Sequence, residues 1–301
     1  MTEEHRIEGR NILITGGGGQ LASDLEELLA GRSTVRAPNR SDLDITEDRA
    51  VEAEFERARP DVVFNCAAFH NVEVCEREED RSFEVNARAV KRLGERCAEA
   101  GATLVHLSTN YVFAGDRKDP YSESDAPSPR SIYALSKLAG EYAALAYCPD
   151  VLVVRSGGLY GMHGSVSKGG NFVQRMLSRA REQGALKMVA DQRLSPTYTA
   201  DLAGSLVEAV AQNVRGLVHV TNAGSCSWYE FTLAIMDIAG LSVPVEAVDT
   251  TRPPGGADRP LNGVLSCDRA RDAGLAGLRP WREALEDYMV SAGFAALPSA
   301  R

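Results

Sequence analysis

No stretch of the 301 residues is long and apolar enough to span a membrane. The first ten residues, Met1–Arg10, are polar and lack the apolar segment of an export signal. There is no surplus of positive charge either. Lys and Arg number 33 against 42 Asp and Glu, leaving a net charge of −9. That balance excludes nucleic acid as the main partner, because phosphate-backbone binding draws its affinity from Lys and Arg. It leaves a nucleotide ligand open, since a helix N-terminus holds phosphates without net positive charge. The six cysteines, Cys66, Cys75, Cys97, Cys148, Cys226 and Cys267, form no CxxC and no Cys/His cluster. They read as reduced thiols of a cytoplasmic protein. No His/Asp/Glu set has metal spacing, so no metal is expected. Ile7-Glu8-Gly9-Arg10 resembles a protease-cleavage linker, and the tail is read as mobile and uninformative.

What is present is ample core material. Hydrophobic residues make up 44% of the chain and charged residues 25%, which supports a large core without staples. Short apolar runs alternate with amphipathic stretches. Asn11–Thr15, Asp61–Ala68, Thr103–Ser108 and Val151–Arg155 read as buried strands. Gln20–Ala30, Phe83–Ala100 and Ser131–Tyr147 read as helices between them, the first with Leu21, Leu25, Leu28 and Leu29 on one stripe. Strands apolar on both faces and separated by helices imply a parallel sheet covered on both sides. The expected fold is α/β, a doubly wound parallel Rossmann sheet with a smaller C-terminal α/β substrate lobe. The expected division is 1–160 for the dinucleotide-binding domain and 161–301 for the substrate lobe, with 199–222 rejoining the first. In the lobe, Asn171–Gln183, Thr199–Gln212 and Trp228–Ile238 read as helices and Leu186–Val189 and Leu217–Val220 as strands, while Thr250–Asn262 reads as loop.

The first strand runs into Gly16-Gly17-Gly18-Gly19-Gln20-Leu21-Ala22, a G-x-x-G-x-x-A spacing. A tight turn, a close backbone approach to a pyrophosphate and a small residue for helix packing are what a dinucleotide site needs there. No acidic residue ends the second strand. Arg36 and Arg40 could pair with a 2′-phosphate, which favours NADPH, with NADH as the alternative; the competing reading is two solvated arginines.

Tyr133 and Lys137 stand four apart on the predicted helix Ser131–Tyr147 and so share a face. An ammonium beside a phenol favours tyrosinate and lowers the phenol pKa from about 10, which suits proton exchange with a carbonyl or alcohol oxygen. Ser108 and Thr109 end the preceding strand, at the edge where doubly wound sheets bind ligands. Glycine loop, Ser108-Thr109 and Tyr133/Lys137 together resemble the extended short-chain dehydrogenase/reductase superfamily.

The resemblance narrows on longer stretches: Leu43-Asp44-Ile45-Thr46, PDVVFNCAAF at 60–69, LSTNYVFAG at 107–115, DPYSES at 119–124, Gly170-Asn171-Phe172-Val173, DQRLSPTY at 191–198 and RPLNGVL at 259–265. These resemble the dTDP-4-dehydrorhamnose reductase family along almost the whole chain. The resemblance implies NADPH-dependent reduction of the 4-keto group of a dTDP-4-keto-6-deoxysugar, and it suggests a homodimer. By the same resemblance, Gly16, Gly19, Gln20 and Leu21 would contact the pyrophosphate, and Asp44 and Ile45 the adenine. Arg40, Ala67, Ala68, Phe69 and Ser108 would line the cofactor. Thr109 would hold the keto oxygen, Tyr133 would donate the proton, and Lys137 would bind the nicotinamide ribose and tune Tyr133. His70, Asn110, Gly158, Asn171 and Arg259 would face the sugar.

The chain departs from the family pattern at three places. Asn110 stands for an Asp, Gly158 for a Trp, and His70-Asn71-Val72-Glu73-Val74 for small residues with an Asp-Lys pair. A pocket reshaped for another ketosugar is one reading and neutral drift the other. Beside the reductase stand two alternatives: a non-catalytic regulatory subunit on the same fold, and a sugar-nucleotide epimerase or dehydratase. His106 reads as a satisfied core histidine, and His163 as part of a Gly-rich loop.

Overall fold

The computed structural model describes residues 7–163, 169–251 and 256–295. Strand β1 (Asn11–Thr15) enters helix α1 (Gln20–Leu29) through the glycine turn, and β2 (Thr34–Arg36), α2 (Asp48–Ala58) and β3 (Val62–Asn65) follow. Two short helices, α3 (Val72–Cys75) and α4 (Glu79–Phe83), lead through a π-helical turn at Glu84–Arg88 into α5 (Ala89–Ala100). Next come β4 (Thr103–Thr109), α6 (Ile132–Tyr147), β5 (Val151–Ser156), β6 (Leu159–Tyr160), α7 (Phe172–Gln183), β7 (Leu186–Val189), β8 (Arg193–Leu194) and β9 (Thr197–Tyr198). The chain ends through α8 (Thr199–Ala211), β10 (Gly216–His219), β11 (Cys226–Ser227), α9 (Trp228–Ile238), β12 (Val245–Val248), α10 (Asp268–Asp272) and α11 (Trp281–Ser291).

Six parallel strands form the main sheet in the order β10-β5-β4-β3-β1-β2. Successive side chains of a strand point to opposite faces, so β1 feeds two cores. Ile12 and Ile14 join Leu21, Leu25 and Leu29 of α1 and Leu202 and Leu206 of α8 on one face. Leu13 joins Val51 and Phe55 of α2 and Val90, Leu93 and Cys97 of α5 on the other. That is a doubly wound fold with helices on both faces. The late segment of α8 and β10 returns to this sheet: β10 pairs with β5, Val218 opposite Val154. A third core gathers Tyr160, Tyr198, Phe231 and Tyr288 with α7, α9 and α11.

Several sequence expectations change. Residues 7–10 are not a loose tail. Ile7 is buried in the first core, its carbonyl accepts from Ser33 Oγ at 2.7 Å, and the Gly9 N–H donates to Arg32 O at 2.8 Å. Leu28 faces outward at 37% exposure, so the inward stripe of α1 is Leu21, Leu25 and Leu29. Helices α2 and α11 and strand β12 were not foreseen, since α2 buries only Val51, Glu54 and Phe55 among charged neighbours. The central strand ends at Asn65, and Cys66–Ala68 leave the sheet.

Truncating a fully buried isoleucine removes its transfer energy and leaves a cavity. Ile7→Ala should therefore lower stability by about 2 kcal/mol or more. Urea unfolding would check it, with an unchanged midpoint showing that the segment contributes nothing to the core.

Candidate functional site

The switch point of the sheet lies where the order reverses between β1 and β3, and ligands bind outside the carboxyl ends of the strands there. The glycine turn occupies that place. Gly16 has φ of 77° and its missing Cβ would lie 2.9 Å from Ala67 N. At Gly17 a Cβ would come within 2.0 Å of Ala37 O, because the Gly17 N–H donates to Pro38 O. Gly18, φ of 76°, has nothing within 4 Å of a built Cβ, so the turn opens outward there. Helix α1 starts at Gly19 with no side-chain cap and no acidic residue in its first turn. Its leading N–H groups and positive dipole end are thus left for an anion. Gln20 Oε1 is buried without a partner beside them. The turn fits a dinucleotide pyrophosphate.

The two candidate 2′-phosphate ligands separate. Arg36 is engaged by Glu54, with Nε and Nη2 on its carboxylate oxygens at 2.5 and 3.2 Å, which leaves Arg36 committed to the protein. Arg40 is 64% exposed and touches Asp44 only at 3.4 Å. Asp44 accepts from Thr46 N and Oγ1 at 3.0 and 2.7 Å, and this turn holds Ile45, which is buried. Across from it, Asn86 braces the Ala67–Phe69 segment. Phe69 N donates to Asn86 Oδ1 at 2.8 Å, while Asn86 Nδ2 donates to Phe69 O at 2.9 Å and Ser136 Oγ at 3.0 Å. Asn86 sits inside the π-helical turn, a distortion that often marks functional places. Gly140 of α6 lets the two helices close, as its Cβ would lie 2.1 Å from Asn86 O. Ala68 O lies 3.3 Å from His70 Nδ1.

At the carboxyl end of β4, α6 brings its groups to the strand. Ser131 caps the helix by accepting from Ala134 N at 3.2 Å. Lys137 is buried, and its Nζ donates to Leu107 O at 2.5 Å. Burial pulls the ammonium down to about 8, while the charge of Glu141 one turn on opposes the fall. The Thr109 hydroxyl lies close enough to the Tyr133 phenol to favour its ionised form. Burial pushes the Tyr133 phenol up, and the Thr109 contact only moderates this. This corrects the expectation of a lysine-promoted tyrosinate: burial outweighs the Thr109 contact that favours ionisation, and the phenol stays protonated. Tyr111 meets the Tyr133 ring edge-on at 5.9 Å between centroids.

Other expected residues are held by the protein itself. Ser108 Oγ donates to Glu141. Asn110 is buried and donates from Nδ2 to Gly263 O at 2.8 Å, with its Oδ1 3.4 Å from the Thr109 hydroxyl. Asn171 caps α7 and donates to Gly161 O and Tyr288 Oη at 2.7 and 2.6 Å. Arg259 pairs with Glu73 at 2.8 Å, and its charge tempers the rise that burial imposes on the Tyr111 phenol. Gly158 does not open a void. It has φ of 60°, and its Cβ would meet Leu194 Cδ1 at 2.6 Å and Pro196 Cα at 3.2 Å. His106 is only half satisfied: Nδ1 meets Asn65 Nδ2 at 3.0 Å, while Nε2 has no partner. His163 pairs with Glu27 at 2.8 Å. Asn86, Tyr111, Glu141 and Arg155 were missed from sequence. Only Glu141 carried a signal, its four-residue spacing from Lys137.

A Rossmann sheet with Thr, Tyr and Lys converging at the end of β4 defines an extended short-chain dehydrogenase/reductase. The family model described as the RmlD substrate binding domain matches residues 10–293, and the chain belongs to that family. It is 41% identical over 289 residues to the dTDP-4-dehydrorhamnose reductase of Mycolicibacterium smegmatis, covering 95% of this chain and 86% of that one. It is 38% identical to the spore coat polysaccharide biosynthesis protein SpsK of Bacillus subtilis, covering 92% and 96%. The crystal structure of dTDP-4-dehydrorhamnose reductase from Bacillus anthracis in complex with NADP superposes with a TM-score of 0.89 at 34% identity, covering 94% and 99%. A UDP-glucose 4-epimerase from Thermus thermophilus, at 23% identity and a TM-score of 0.80, shares the fold.

With no room for a methyl group against the Ala37 carbonyl, Gly17→Ala should displace the turn. Binding of NADPH, followed by nicotinamide fluorescence, should weaken about tenfold or more, the equivalent of about 1.4 kcal/mol. Unaltered affinity would place the dinucleotide elsewhere.

Proposed function

We propose that this protein reduces the 4-keto group of a dTDP-4-keto-6-deoxysugar with NADPH. One observation carries the reading: Thr109, Tyr133 and Lys137 converge at the carboxyl end of β4, next to a glycine turn fitted for a dinucleotide. The names of the relatives support the substrate class, and the NADP complex of a neighbour supports the cofactor. Gly16, Gly19, Gln20 and Leu21 would hold the pyrophosphate and Asp44 and Ile45 the adenine, Ala67, Ala68, Phe69 and Ser108 would line the cofactor, and Lys137 would hold the nicotinamide ribose. Of the two arginines, exposed Arg40 is the one available to a 2′-phosphate.

When bound, NADPH supplies the hydride for the carbonyl carbon. The rest falls to the protein. As hydride arrives, negative charge grows on the keto oxygen, which then needs a proton. Tyr133, kept protonated by burial, is the acid that supplies it. Thr109 orients the phenol and offers a second hydroxyl to the same oxygen. Lys137, cationic below about 8, stabilises the tyrosinate left behind. A phenol poised as acid suits reduction rather than oxidation.

The departures from the family pattern remove none of these groups. Asn110 and Gly158 are engaged in packing, which gives the regulatory-subunit reading no support. The net charge of −9 supports a small-molecule partner over nucleic acid. None of the six cysteines is in a disulfide, which supports a reducing, cytoplasmic setting. Among the described residues, no helix is long and apolar enough to cross a membrane.

The test is loss of reduced-nicotinamide absorbance when protein, NADPH and a dTDP-4-keto-6-deoxyhexose are mixed; no turnover with any such sugar would overturn the assignment. Tyr133→Phe should cut kcat by about a hundredfold or more while leaving NADPH affinity within a factor of about two. Because Lys137 must be charged, kcat should be steady at neutral pH and fall as pH rises through about 8.

A further inference from the structure

Lys137 lies in a nearly uncharged setting. Around it stand Cys66 just past β3, His106 and Ser108 on β4, Tyr133 and Glu141 on α6, and Arg155 on β5. Cys66 is pushed up to about 12 by burial, and desolvation holds His106 well below the usual histidine range. With the Tyr133 phenol also raised by burial, these three groups are neutral at physiological pH. The charged group that acts on it is Glu141, and Arg155 is reached through that carboxylate.

Their geometry is specific. Glu141 follows Lys137 by one turn of α6, so the two share a helix face. It is 1% exposed, and Arg155 is 2% exposed. Arg155 grips both carboxylate oxygens, Nε on Oε1 at 2.8 Å and Nη2 on Oε2 at 2.6 Å. Ser108 Oγ adds a third donor on Oε1. The sheet register sets Arg155 directly opposite Ser108. Arg155 Nη1 has no partner, and the guanidinium lies over the Phe113 ring at 5.0 Å. The carboxylate is thereby immobilised by donors that are themselves rooted in β4 and β5. A simple two-residue ion pair would not need the lysine, but two buried cations served by one carboxylate leave a net positive cluster. Removing that carboxylate would strand both, and a buried lysine answers by losing its proton.

We propose that Glu141 is a positioning residue for Lys137: its carboxylate, clamped by Arg155 and Ser108, is the counter-charge that keeps the Lys137 ammonium protonated on the Leu107 carbonyl. The role deepens the reductase reading and rests on it for its catalytic consequence, but not for its electrostatics. Glu141 touches no reacting atom in this scheme; it acts through Lys137.

The experiment is a titration of the protein without substrate, carrying lysine labelled at Cε and followed by NMR, with the Lys137 signal assigned by its loss in Lys137→Arg. Wild type should titrate near 8. Glu141→Gln, similar in size and uncharged, should lower the midpoint by about one pH unit or more. Glu141→Asp keeps the charge and should hold the midpoint within about half a unit of wild type. In turnover assays the alkaline fall of kcat should shift with the Glu141→Gln midpoint, whereas simple structural damage would lower kcat without moving the profile. Should Glu141→Gln alone fail to fold, the double variant Glu141→Gln/Arg155→Met is titrated instead, since it leaves no unpaired guanidinium while still removing the counter-charge of Lys137. A Lys137 midpoint unchanged from wild type in whichever variant folds overturns the proposal. Because the titration needs no sugar, its result stands apart from any failure of the reductase assignment.

Discussion

The last residues of β4 are gripped by α6 at successive positions. Leu107 offers its carbonyl to Lys137 and Ser108 its hydroxyl to Glu141, and the Thr109 hydroxyl lies beside the Tyr133 phenol. A strand and a helix hydrogen-bonded at two consecutive residues cannot slide past one another without breaking buried polar contacts, each of which costs about 1–3 kcal/mol when left unmade. The rest of the site is arranged around this seam. β5 supplies Arg155 from beneath, the π-helical turn supplies Asn86 from the side, and the Gly263 carbonyl closes over Asn110 from the C-terminal lobe.

The same seam explains why a phenol and an ammonium can be charged differently from their values in water. Desolvation raises one and lowers the other. Both shifts favour the neutral form, yet reduction wants Tyr133 neutral and Lys137 cationic. Burial alone therefore suits the acid and works against its partner. A fixed carboxylate on the same helix face opposes that loss, and Arg155 and Ser108 hold the carboxylate in place.

The departures from the family pattern take on a different meaning once their contacts are known. Asn110 uses an amide N–H on the Gly263 carbonyl, a contact a carboxylate could not make. Where the family carries a tryptophan, Gly158 adopts positive φ and Leu194 and Pro196 occupy the neighbouring space. These are local repackings of the wall between the sheet and the C-terminal lobe.

Much of this was legible in the amino-acid order. Short apolar runs in Asn11–Thr15 and Thr103–Ser108, glycine spacing after the first strand and the Tyr133/Lys137 step on a helix are local patterns with local physical causes, so they pointed to a doubly wound sheet and to the strand ends that carry the candidate site. Helix α2 escaped because its apolar stripe is thin, and Ile7 because one residue has no periodicity. The commitment of Arg36 to Glu54, the brace at Asn86, the clamp on Glu141 and the filling beside Gly158 all join residues far apart in the chain. So does the protonation of Tyr133, which burial decides rather than the neighbour four residues on. Desolvation and distant pairing belong to the packed molecule, and only the tertiary structure could set them.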